Sequence, residues 1–187
     1  MSESELIQLF LEHNDIMRIL KIVEELKLSD CWLCAGVLRQ TVWNSLSGQK
    51  TALDDVIDID IVFYDKSLSY EETQMIETTL RTSYPNYNWE LKNQVYMHFH
   101  NSDTAPYCHT RDAITKFPET CTALALRLDK QAIELFVPHG IEDLINFRVV
   151  ATPHFKATDA RRKAYNQRVL AKNWLSKWPN LLIELEN

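Results

Sequence analysis

Only three of the 187 residues are glycine: Gly36, Gly48 and Gly140. Average usage would supply roughly thirteen. A phosphate-binding loop of the Walker A kind, or a GxGxxG dinucleotide fingerprint, needs at least two closely spaced glycines, so both are excluded. Any phosphate this chain binds must be met by a single glycine and a helix end. The rest of the composition is that of a globular protein with room for a full core, with 45% hydrophobic and 25% charged residues. The four cysteines, Cys31, Cys34, Cys108 and Cys121, follow an acidic, polar N-terminus without the apolar stretch of a signal peptide. A reducing cytoplasm is therefore expected, with no disulfide framework. No apolar run approaches the ~18 residues that span a bilayer.

The hydrophobic pattern predicts an α+β or α/β fold with a mixed sheet, carried by one domain over residues 1–187. A helical segment occupies 1–28, opened by a Ser2/Glu5 capping box and interrupted near His13-Asn14-Asp15. The core spans 29–147. In it, a short strand ends at Gly36, a helix follows to Gly48, and a second strand runs over Ile57–Tyr64. Further elements are a helix over Ser69–Arg81, a strand over Asn88–Lys92, and two apolar runs, Thr120–Leu128 and Gln131–Val137, joined as a hairpin. Residues 148–187 form a basic C-terminal helix, expected from about Phe155 to Trp178, and a tail. This region changes the charge balance. Residues 1–147 hold 12 basic and 23 acidic side chains, whereas 148–177 hold 8 basic and 1 acidic. The basic stretch reads either as a solvated helix face or as a surface for phosphates or an RNA end, through Arg161, Arg162, Lys163, Arg168 and Lys172.

The segment richest in chemistry is Ile57-Asp-Ile-Asp-Ile-Val-Phe-Tyr64. Side chains alternate along a strand, so Asp58 and Asp60 share one face and the isoleucines the other. Two carboxylates about 6–7 Å apart repel, and water, basic partners or a divalent cation must relieve them. A hard cation such as Mg²⁺ suits oxygen ligands in this arrangement. Glu134, an isolated acid in the apolar run Ala132–Phe136, is the candidate third carboxylate. Gly36 supplies the other half of a phosphate site, because a helix start presents free N–H groups and partial positive charge. Arg39, three residues on, is placed to reach back over the same end. The plainer readings are an exposed strand face for the acids and a surface position for the arginine; the conjunction describes a nucleoside triphosphate with its metals.

Ala35-Gly-Val-Leu-Arg39 followed by a helix and Asp58-Ile-Asp-Ile61 resembles the nucleotidyltransferase superfamily of DNA polymerase β, CCA-adding enzymes and antibiotic adenylyltransferases. Within it, the chain is similar to a bacterial family of small nucleotidyltransferase-like proteins. The likeness runs from Asp30 to Leu182 through AGVLRQTVW, DIDIVFYD, WELKNQVYMH, FPETCTALALRL, IELFVPHGIEDL and RVLAKNWLSKWP. The resemblance implies metal-dependent transfer of a nucleoside monophosphate from an NTP to a hydroxyl acceptor, with release of pyrophosphate. It implies Mg²⁺, or Mn²⁺ in its place, held by Asp58, Asp60 and Glu134, and a triphosphate cradled by Gly36. It also places Asn93 and Gln94 in the pocket. The acceptor is left open among a small molecule, an RNA end and a protein side chain. Val37 stands where the superfamily carries a hydroxyl residue or a second glycine, which keeps alive the alternative of a catalytically inactive nucleotide- or RNA-binding protein.

Two competing patterns weigh less. Cys31-x-x-Cys34 has zinc-knuckle or redox spacing, with Cys108-His109 as the candidate second ligand pair, but positions i and i+3 on a strand face opposite sides, so the two read as buried structural cysteine. His98, His100 and His109 with Asp103 match no standard metal-site spacing. Trp174 and Trp178, one turn apart, read as core anchors.

Overall fold

The computed structural model describes residues 1–50, 53, 58–101, 103–129 and 132–187. Most of the connection expected over Gln49–Val56, residue 57 of the predicted strand and the tip of the hairpin lie outside those residues.

The chain starts with α1 (Glu3–Glu12) and α2 (Asn14–Glu25). Ser2 and Glu5 close the capping box, with the Ser2 N–H donating to Glu5 at 2.6 Å. The helix breaks at His13, whose Nδ1 caps α2 by accepting from the Ile16 N–H. Next come β1 (Trp32–Cys34), α3 (Gly36–Leu46), β2 (Asp58–Phe63), α4 (Tyr70–Ser83) and β3 (Asn88–Asn93). Gly48 follows the end of α3 with φ +64°, a conformation that favours glycine after a helix end. A second capping box, Ser69 with Glu72, opens α4.

Beyond β3 lie α5 (Gln94–Met97), a 3₁₀ turn (His98–His100), α6 (Thr110–Thr115), β4 (Ala125–Asp129), β5 (Ala132–Phe136) and α7 (Glu142–Ile145). The chain closes with β6 (Arg148–Val149), α8 (Pro153–Lys156), α9 (Asp159–Ala171), α10 (Trp174–Lys177) and β7 (Leu182–Ile183). The first five strands form one sheet in the order β3-β2-β1-β4-β5. In this sheet β2 and β3 pair in parallel, with α4 as their crossover, and the other pairs run antiparallel; β6 and β7 form a separate parallel pair. The fold is therefore α+β with a mixed sheet.

Alternation divides the sheet. Leu33, Ile59, Ile61, Phe63, Trp89, Leu91 and Leu126 lie in a buried cluster with α2 and α3 residues such as Ile16, Leu20, Leu38 and Trp43. The opposite face carries Trp32, Cys34, Val62 and Ala125 in a smaller cluster, together with the sheet's charged residues. Residues late in the chain, including Val149, Tyr165 and Val169, belong to the larger cluster.

Two elements differ from expectation in extent. The hairpin's first strand starts at Ala125 rather than Thr120, because residues 119–124 form a turn in which the Glu119 carbonyl accepts from the Thr122 and Ala123 N–H groups, both at 3.0 Å. The C-terminal helix is divided into α8, α9 and α10. Thr158 is extended and caps α9 through its hydroxyl, and Lys172 is extended at the other end. The second break lets both tryptophans turn inward onto Trp43, with ring centroids 6.1 Å away for Trp174 and 5.0 Å for Trp178. Trp178 Nε1 donates to Asn44 Oδ1 at 3.1 Å, satisfying its polar edge. These residues are core anchors, as their spacing indicates.

Candidate active site

A cleft of about 400 Å³ opens over the second face of the sheet, within the size range of small-ligand sites. Ala35 and Cys34 line it from β1, Asp60 and Val62 from β2, Glu90 and Lys92 from β3, and Gln94 from α5. Tyr70, Tyr107 and Phe117 supply aromatic surface around it.

The turn from β1 into α3 sets the geometry. Ala35 has φ +61° and ψ −123°, a backbone conformation that costs a residue with a side chain about 1–3 kcal/mol. It is held on both sides: its N–H donates to the Leu124 carbonyl at 3.1 Å, and its carbonyl accepts from the Arg39 N–H at 3.1 Å. This turn sets Gly36 beside the Asp60 carboxylate. A methyl group added at Gly36 would sit 3.8 Å from Asp60 Oδ2, an ordinary contact. Gly36→Ala should therefore leave the melting temperature unchanged while weakening Mg·ATP binding, because the methyl projects at the carboxylate. A matching loss of stability in a thermal melt would show that the glycine serves packing instead.

Asp60 is pushed up to about 6, first by burial and then by the neighbouring carboxylates Glu90 and Asp58; the Gly36 N–H offsets part of this. Glu90 is Asp60's register partner on the parallel strand β3, on the same face. Lys92 Nζ lies 3.7 Å from Glu90 Oε2. Asp58 is exposed, and its Oδ1 accepts from Asn88 Nδ2 at 2.5 Å. Three carboxylates thus gather across two adjacent strands. Sequence reasoning passed over Glu90. The signal was present: Trp89 and Leu91 are apolar, so Glu90 must face the other way, and a helix between two strands predicts that they pair in parallel.

Glu134 does face away from the core, as expected, but the structure does not bring it to Asp58 and Asp60. It lies on β5, with β1 and β4 intervening, a lateral separation of about 14 Å. The residue in line with Asp60 on that strand is Phe136, through Cys34 and Ala125. Both Glu134 oxygens are taken: Oε2 accepts from Arg127 Nε at 2.6 Å, and Oε1 from Arg111. The two guanidiniums lie over the Trp32 ring, 4.3 and 5.0 Å from its centroid. Among the described residues, no three His, Cys, Asp or Glu side chains form a ready-made metal cage.

Arg39 does not turn back over the start of α3. It is buried between Trp43 and Trp174, with its guanidinium carbon 5.0 and 4.4 Å from their rings, and its Nη1 donates to Thr122 Oγ1 at 2.7 Å. Asn93 is 1% exposed and caps α5. Its amide is spent internally, with Oδ1 accepting from the Asp65 and Val95 N–H groups and Nδ2 donating to the Asp65 carbonyl at 2.7 Å. It fixes the loop after β2, whereas Gln94 reaches the cleft.

The other patterns dissolve. All four cysteines are free, and burial raises the Cys31 and Cys121 thiols to about 12 and Cys34 well above its usual value, so none of these three is a ready thiolate. His98 is buried and His109 caps α6. Much of the basic stretch is neutralised at home: Arg148 pairs with Asp143 and Glu184, Lys156 with Glu186, Arg162 with Asp159 and Arg168 with Glu119. No helix among the described residues is long and apolar enough to cross a membrane.

Residues 21–183 match the model of a family described as nucleotidyltransferase. The chain belongs to that family. A solved structure described as an NMR structure revealing a CCA-adding enzyme head domain is 47% identical, with a TM-score of 0.90 over 97% of this chain and 95% of that one. A structure of a tRNA-processing enzyme complex is 13% identical over 81% of this chain and 46% of that one, with a TM-score of 0.43. No curated protein matches. Family and fold together mark this nucleotidyltransferase as an enzyme of nucleotidyl transfer, with a nucleotide as substrate.

Proposed function

We propose that this nucleotidyltransferase transfers a nucleoside monophosphate from an NTP to a hydroxyl acceptor in the cleft over β2 and β3, releasing pyrophosphate. The observation that carries the reading is the Asp60 carboxylate beside Gly36 at the start of α3, with Glu90 alongside on the neighbouring strand. It joins an acid cluster to the start of α3, where N–H groups and the helix dipole favour phosphate.

Asp58, Asp60 and Glu90 are the groups that would hold divalent metal. Their chemistry fits: Asp60 is crowded by the like charges of Glu90 and Asp58, the nearby Lys92 pairs with Glu90, and Mg²⁺ is commonly held by one or two carboxylates completed by waters and phosphate oxygens, so no closed cage is needed. When bound, Mg²⁺ or Mn²⁺ neutralises charge on the transferring phosphoryl group and on the leaving pyrophosphate. The chain's own groups do the rest. The first turn of α3 orients the triphosphate. Gln94 and the aromatic surface of Tyr70, Tyr107 and Phe117 hold nucleoside and acceptor. The acceptor oxygen attacks the α-phosphorus as the bond to the β-phosphate oxygen breaks, and the Glu90 carboxylate, beside Lys92, takes the hydroxyl proton.

The test is incubation with Mg²⁺, a fractionated cell extract and NTPs labelled at either the α- or the γ-phosphate. Label from the α-position should move to an acceptor while γ-label leaves as pyrophosphate; the labelled product identifies the acceptor. Transfer of γ-label, or no transfer from any NTP, contradicts the proposal. One observation favours a second reading, an inactive nucleotide-binding protein. Val37 is fully buried and gives no hydroxyl to the phosphates. Calorimetric binding of Mg·ATP without any label transfer would select that reading.

A further inference from the structure

The turn before β4 carries a carboxylate that the reaction above does not use. Glu119 is 0% exposed. Its Oε1 accepts from Arg168 Nε on α9 at 2.6 Å, and its Oε2 has no hydrogen-bond partner among the described residues. A buried, half-satisfied carboxylate is costly unless a cation stays beside it, so Glu119 fixes where Arg168 can be. The same turn grips the start of α3. Thr122 accepts from Arg39, and the Leu124 carbonyl accepts from the Ala35 N–H. Residues 119–124 therefore bridge the first turn of α3 to the last turn of α9.

The charges at this bridge do not cancel. Arg39 is fixed among tryptophans with its Nε unpartnered among the described residues, and the carboxylate of the same turn, Glu119, is paired with Arg168. Arg168 spends only its Nε on that carboxylate among the described residues, and its side chain is 39% exposed. Its outer N–H groups are left to face an anion. It is anchored on the turn whose Leu124 carbonyl holds the Ala35 N–H, directly before the start of α3.

We infer that Arg168, held in place by Glu119, is the arginine that binds the β- and γ-phosphates of the NTP at the start of α3. A planar guanidinium whose Nε is already anchored presents its remaining donors in a fixed fork, the geometry that suits phosphate oxygens. Glu119 is the positioning residue. The inference rests on the NTP reading above and names the residue that recognises the triphosphate end.

The experiment is calorimetry on the full chain with Mg·ATP and with AMP as probes. Arg168→Ala should weaken Mg·ATP about tenfold and leave AMP unchanged, and Arg168→Lys should recover part of the loss. Arg168→Ala strands a buried carboxylate, so the double variant Glu119→Gln/Arg168→Gln, which removes both charges, keeps the test independent of folding. It should show the same loss for Mg·ATP alone. A purely structural role predicts equal losses for both probes; that result, or unchanged Mg·ATP affinity, overturns the inference. Wild-type protein that binds neither probe overturns the NTP reading itself, and this inference with it.

Discussion

Asp60→Asn should abolish nucleotidyl transfer, by about 10³-fold or more, and at the same time make the protein more stable at pH 7. The two effects have one cause. Asp60 is pushed up to about 6 by burial and by Glu90 and Asp58, whereas in the unfolded chain it titrates near its ordinary value of about 3.9. The native state therefore holds more protons than the unfolded state between those values, so the Asp60 contribution to stability falls as pH rises from about 4 through 6 and stays low above. A shift of that size corresponds to about 3 kcal/mol. Asparagine keeps an acceptor for the Gly36 N–H and carries no charge. The variant should gain about 1–3 kcal/mol at pH 7, a rise of about 2–4 °C in melting temperature per kcal/mol for a chain of this size. Thermal melts from pH 4 to 8 without divalent metal check this. The wild type should lose stability with rising pH and the variant should lose less. Equal slopes would mean that Asp60 is not under strain from its neighbours.

The second large effect separates two glutamates that the sequence alone cannot rank. Glu90→Gln should lower transfer about 10²–10⁴-fold with stability unchanged or slightly raised, since a like charge beside Asp60 is removed. Asp60 should then titrate below 6, because Glu90 is the larger of the two charges acting on it. Glu134→Gln should do the reverse. Transfer should persist, and stability should fall by about 1 kcal/mol, because Arg111 and Arg127 lose the carboxylate between them in a partly exposed site. Steady-state transfer and chemical denaturation on both variants decide the matter. A dead Glu134→Gln enzyme with an active Glu90→Gln one would move the chemistry to β5.

The contrast shows where sequence reading stops. The facing of Asp58, Asp60 and Glu134 followed from alternation along single strands, and the helix after Gly36 from periodicity. Which strands are neighbours did not follow. Glu134 and Glu90 present the same local pattern, an acid between apolar residues, and only the order β3-β2-β1-β4-β5 puts one beside Asp60 and the other three strands away. Arg39 failed for a similar reason: three residues into a helix a side chain can turn either way, and two tryptophans, one of them more than a hundred residues distant, draw it inward. The strain at Ala35 left no trace in composition, because its positive φ is enforced by hydrogen bonds from the turn before β4 and from α3.

The central claim is that the transfer chemistry sits at Asp58, Asp60 and Glu90. The most direct test is Mn²⁺ titration of isotope-labelled protein in the presence of ATP, followed by paramagnetic broadening of backbone amides. Broadening should centre on Gly36, Asp58, Asp60 and Glu90 and spare Arg111, Arg127 and Glu134. Broadening centred on Glu134, or none at all, would contradict the account.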